Sequence, residues 1–143
     1  MKPTLKIITF AVTAALCLTA ATASAERPAN LARTAWTLQT NRGLVDLVIN
    51  TQGGPGAPGA ANCRGIKGEL GDVGVAIDGW YCPSTGRIHF VHRNLDNDNA
   101  VRVFTGNVSD DEGGPLFMAG TVTVLFSVFG DLGEYPFTAT TVE

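Results

Sequence analysis

The chain has 143 residues, 45% of them hydrophobic and only 16% charged, with 17 glycines and three cysteines. That length suits one domain with a real core and is too short for two. Beyond a leader that removes Lys2 and Lys6, eight basic residues face thirteen acidic ones; this balance argues against nucleic acid and anionic membranes as partners, since both need clustered positive charge.

Residues 1–25 read as a signal peptide. Lys2 and Lys6 precede an apolar stretch beginning at Ile7, and Ala23-Ser24-Ala25 supplies the small residues of a cleavage site. Cleavage after Ala25 would send the mature chain to the periplasm or the medium. The apolar stretch is short for a bilayer span, so no membrane anchor is expected. Leu16, directly before Cys17, is not the small residue that lipoprotein processing prefers.

Cys63 and Cys82 then remain, enough for one intramolecular bridge, which an oxidising compartment would keep. Closing that loop contributes about 3 kcal/mol in the chain-entropy picture. There is no Cys-x-x-Cys and no histidine at zinc-ligand spacing, so neither a redox pair nor a metal site is expected. No cofactor motif is present.

Residues 26–34 form a lead-in, expected to be loose because Pro28 discourages regular structure. Strand-length segments follow in residues 35–143, separated by turn chemistry. Ala35 to Thr40 is the first. Leu44 to Thr51 is the second, with Val45, Leu47 and Ile49 alternating against Asp46 and Asn50. Gly53 to Ala61, rich in glycine and proline, is expected as an exposed loop. Cys63 to Leu70 is the third, where Gly65 and Gly68 signal a bulge or bend. Gly74 to Tyr81 and Arg87 to Arg93 are the fourth and fifth, joined by a turn that Pro83 and Gly86 suit. Ala100 to Val108 is the sixth, Leu116 to Ser127 the seventh with a bend near Gly120, and Tyr135 to Val142 the eighth. No segment shows a helical period with caps.

Eight strands joined mostly by short loops predict an all-β fold, a single-domain eight-stranded antiparallel up-and-down barrel, with a β-sandwich as the alternative. Cys63 and Cys82 fit the meander because they fall at facing ends of adjacent strands.

Trp36-Thr37 on the first strand, Val91-His92-Arg93 on the fifth and Val103-Phe104-Thr105-Gly106 on the sixth resemble the avidin family of calycin-type meander barrels. The resemblance implies a small-ligand pocket in the barrel mouth. Where that family walls its pocket with a fifth-strand tryptophan, this chain has Arg93. Met118-Ala119-Gly120 stands where a seventh-strand aromatic is expected.

His89 and His92 are three apart on a strand and point to opposite faces. Arg87, His89, Val91 and Arg93 share one face, and Ile88, Phe90 and His92 the other. Hydrophobicity turns Ile88 and Phe90 inward and leaves His89 and the arginines in solvent. The avidin-like alignment favours the reverse, with Arg93 meeting Arg102 inside the barrel beside Phe104. On that second reading Trp80, His89, Arg93, Arg102 and Phe104 are the candidate ligand-binding residues, and desolvated guanidiniums there would select an anion.

Asp96, Asn97, Asp98 and Asn99 cluster in one loop and Asp110, Asp111 and Glu112 in another, but Ala100 stands where an EF-hand needs an oxygen ligand. Both clusters read as solvated turns. Ser84 and Ser109 lack a nucleophile-elbow context, and no catalytic residue is assigned. Asn107-Val108-Ser109 matches a glycosylation sequon, expected to be unused in a chain with a bacterial-style leader. The expected function is a non-enzymatic, exported barrel that binds a small, anionic ligand at its mouth. The alternatives are an inhibitor that binds a protein partner through its loops and a barrel-cavity cyclase or isomerase using Asp78 with His89.

Overall fold

The computed structural model describes residues 27–56, 62–94, 100–110 and 113–142. Eight strands follow one another: β1 (Thr34–Thr40), β2 (Gly43–Pro55), β3 (Arg64–Leu70), β4 (Val75–Cys82), β5 (Arg87–Asn94), β6 (Ala100–Ser109), β7 (Phe117–Phe126) and β8 (Gly133–Thr141). Each pairs with the next, and β8 returns to β1, giving one closed barrel in sequence order. Leu38 faces Ala139 and Trp36 faces Thr141 across the closing seam. Closure removes every sheet edge. The sandwich alternative is not the one adopted.

Alternation along the strands sets inside from outside. Leu47 and Ile49 on β2, Ile88 and Phe90 on β5, and Met118 and Val122 on β7 are buried, while their neighbours Val48, His89 and Thr121 are exposed or half-buried. Fully burying a leucine or phenylalanine is worth about 2 kcal/mol. Phe90 stacks on Phe104 at 4.6 Å, and Phe137 meets Phe104 edge-on at 5.4 Å. This aromatic cluster fills the middle of the barrel.

The end at which β1 begins is closed. Residues 27–33, expected to be a loose lead-in, are strapped across it. Tyr81 Oη donates to the Pro28 carbonyl at 2.7 Å, and Arg27 donates to the Ser84 carbonyl at 2.8 Å. Gln52 accepts from Leu31 N and donates to the Ala29 carbonyl. Leu31, with no exposed surface, plugs the end. A buried apolar side chain and four hydrogen bonds outweigh the local disorder that Pro28 suggests. Removal from water also pushes the Tyr81 hydroxyl up to about 12, against the opposing charge of Arg27. Cys63 and Cys82, 19 residues apart, are joined at this same end. The turn between β4 and β5 closes as expected, with Gly86 at φ +73° and its N–H donating to the Cys82 carbonyl.

β2 runs further than its hydrophobic alternation indicates. Gly53, Gly54 and Pro55, expected in a loop, belong to the strand, and Pro55 pairs with Arg64. Two register shifts, one between Ile49 and Thr51 and one between Gly53 and Pro55, let this stretch keep pairing with β3. The first lies opposite Gly68, whose missing side chain admits the Val48 carbonyl. On β7 the ladder irregularity falls at Leu125, between the pairs Arg102–Val124 and Val101–Phe126, rather than at Gly120. Residues 57–61, the 95–99 oxygen cluster, Asp111 and Glu112, and the leader lie outside the described residues.

Candidate functional site

The opposite end of the barrel is open. There a cavity of about 500 Å³ descends between the strand ends, a size usual for small-molecule sites. It is lined by Thr40, Arg42, Leu44 and Val45, by Leu70, Asp72 and Val73, and by Asn94, His92, Arg102 and Phe104, the last three one ladder step or more below the strand ends.

The deeper polar lining follows from two strands. On β5 the inward set is Ile88, Phe90, His92 and Asn94, and the last two are buried polar groups at 4% and 7% exposure. On β6 Ala100, Phe104 and Val108 are buried, and Arg102 sits between Ala100 and Phe104 on the same face. The ladder sets His92 opposite Arg102 and Phe90 opposite Phe104. An imidazole, a carboxamide and a guanidinium therefore share the inner face above an aromatic base.

Of the five sequence candidates, Arg102 and Phe104 line this cavity, and Trp80, His89 and Arg93 do not. Trp80 and His89 face each other on the outer wall, stacked at 5.5 Å, and His89 Nδ1 shares a 3.2 Å hydrogen bond with Thr105. Partial burial against the tryptophan holds the His89 imidazole below its ordinary value. Arg93 is exposed and pairs with Val101, so it does not meet Arg102. The inward turn of Ile88 and Phe90 and the inward turn of Arg102 hold together, because the register puts Arg102 across from His92. Sequence parity alone does not single out His92 and Asn94 as site residues, although His92 shares the face of Ile88 and Phe90.

No protein-family model, curated protein or solved structure matches the chain.

The lip is braced from the β7–β8 loop. Arg42 Nη1 lies 3.5 Å from Asp131 Oδ2, and its guanidinium stands 5.0 Å over the Phe129 ring. Tyr135 Oη donates to the carbonyls of Asp131 and Leu132 at 3.3 Å each. Both Asp131 carboxylate oxygens are out of contact with water, and neither has a hydrogen bond of good geometry. The adjacent Ser127 hydroxyl, followed by smaller contributions that include Arg42 and Arg102, holds this carboxyl below its ordinary value against the opposing effect of burial. Asp131 thus remains an anion near both arginines of the mouth.

Asp78 lies on the outer wall 3.7 Å from Lys67, both well exposed, and pairs across the ladder with Val91. His89 stacks on Trp80 instead of meeting it. Among the described residues, no three histidine, cysteine or acidic side chains converge to hold a metal ion.

Proposed function

We propose that this chain is an exported binding protein that takes a small anionic ligand into the open mouth of its barrel. The observation that carries the reading is Arg102 inside the cavity with His92 and Asn94, in a lining whose two arginines, Arg42 and Arg102, outnumber its one carboxylate, Asp72. A guanidinium presents five N–H donors in a planar fork suited to a carboxylate or phosphate. Such a charge-assisted contact strengthens where little water competes. Phe104, Leu70 and Val45 favour a ligand with an apolar body beside its charge.

Export is part of the same reading. A buried disulfide at the closed end suits an oxidising compartment. The outer wall carries Thr37, Asp46, Lys67, Glu69, Asp78 and Thr121 among scattered apolar residues such as Val48 and Phe117, while the large buried side chains face in. Charged residues on the outer faces of β2, β3 and β4 differ from the continuous apolar band of a lipid-embedded barrel. The avidin-like resemblance agrees with a ligand at the mouth, while Arg102 and His92 set a different chemistry from a tryptophan-walled pocket.

The test is a thermal-shift comparison on the chain from Glu26 onward, using matched pairs: benzoate against benzamide, and inorganic phosphate against glycerol. The anion of each pair is expected to raise the melting temperature more than its neutral partner. Equal shifts within both pairs sink the reading.

A further inference from the structure

We propose that the β7–β8 loop is a latch on the mouth: Asp131 holds Arg42, and an anionic ligand that takes Arg42 releases the loop. This rests on the anionic-ligand reading above and adds the control of access to that site.

The loop carries its charge inward and its apolar groups outward. Asp131 is turned to Arg42, while Val128, Phe129 and Leu132 are 56%, 62% and 58% exposed. That is the reverse of a loop in its most buried arrangement. Its fastening to the lip is light. The Arg42–Asp131 distance of 3.5 Å exceeds a close charge-assisted contact of about 2.8 Å, and the side chains keep 38% and 20% of their surface. The Asp131 oxygens are shielded from water while Arg42 stays partly exposed, so the exchange runs through an anion that takes Arg42 and a loop movement that rehydrates Asp131. The second fastening, Phe129 under the Arg42 guanidinium, depends on the position of the same arginine. Arg42 also lines the cavity, so one side chain serves both the latch and the ligand. Drawing Arg42 towards a bound anion loosens both contacts together. The Tyr135 hydrogen bonds to the Asp131 and Leu132 carbonyls anchor the backbone there, so release turns the Asp131 side chain and the 127–130 turn about that anchor. Gly130 and Gly133, at φ +73° and +136°, supply backbone positions that bend at little cost on either side of Asp131.

The test combines affinity and loop motion in wild type, Asp131→Asn, Arg42→Gln and the double variant. The probes are benzoate and inorganic phosphate, with binding measured by calorimetry and hydrogen exchange followed at residues 127–132. Asp131→Asn is expected to bind benzoate about two- to fivefold more tightly, the range a partly exposed ion pair can withhold. That gain is expected to vanish in the Arg42→Gln background, because the aspartate then has no arginine to occupy. Saturating benzoate is expected to speed exchange at 127–132 in wild type, although simple occupancy of a pocket slows it. Benzoate binding with no gain in Asp131→Asn, or with slowed loop exchange, overturns the latch alone. Failure of wild type and Asp131→Asn to bind either anion overturns the anionic-ligand reading and the latch with it.

Discussion

Arg102 stands directly across the β5–β6 ladder from His92, one inward step above the Phe90–Phe104 pair. The two nitrogen-rich side chains share a face whose deeper neighbours are fully apolar. The polar chemistry of the mouth depends on this pairing, and so does the first prediction.

Arg102→Gln is expected to weaken benzoate binding about tenfold or more, the loss of a charge-assisted hydrogen bond worth about 1.5–3 kcal/mol. Arg93→Ala is expected to change nothing, since Arg93 lies on the outer wall. Calorimetry on the two variants separates inside from outside. Equal losses would place the ligand elsewhere.

The closed end gives a stability prediction. Tyr81→Phe keeps the ring and removes the hydroxyl that donates to the Pro28 carbonyl, 2.7 Å away. The expected cost is about 1 kcal/mol, read as a lowered urea midpoint with an unchanged slope. Reducing Cys63–Cys82 is expected to cost about 3 kcal/mol in the loop-entropy picture. An unchanged midpoint in Tyr81→Phe would mean that the strap contributes nothing through this bond.

Two glycines should respond in opposite ways. A Cβ on Gly120 would run into the Thr105 carbonyl and the Gly106 backbone, whereas one on Gly53 meets nothing within 4 Å. Gly120→Ala is expected to cost about 2–3 kcal/mol as overpacking. Gly53→Ala is expected to stay within about 0.5 kcal/mol of wild type. Thermal melts of the pair check the close approach of β6 and β7.

The outer-wall stack predicts a pH dependence. His89 has a lowered folded pKa because the ring is partly desolvated. The unfolded chain therefore takes up the proton more readily, so stability is highest above the ordinary imidazole value of about 6.5 and declines as pH falls through the lowered one. In His89→Gln this part of the decline should be missing. If wild type and His89→Gln lose melting temperature in parallel between about pH 7 and 5, the assignment to His89 fails.

The eight strands, most turns, the disulfide and the barrel could be inferred along the chain, because each is written locally. Alternation in Val45-Asp46-Leu47-Val48-Ile49, the Pro83–Gly86 turn and a cysteine at facing ends of neighbouring strands are properties of a few residues at a time. The strap of residues 27–33 and the extension of β2 through Pro55 were not legible. Their hydrogen bonds run to Tyr81, Ser84 and β3, which no short window contains. The site divides along the same line. Parity already grouped His92 with Ile88 and Phe90. Sequence alone does not decide which β6 residue faces His92, since β6 carries apolar groups on both faces: Ala100 and Phe104 on one, Val101 and Val103 on the other. Hydrophobicity of Ile88 and Phe90 already points Arg93 to water; only closure of the ring, which sets every strand against two partners at once, puts Arg102 inside.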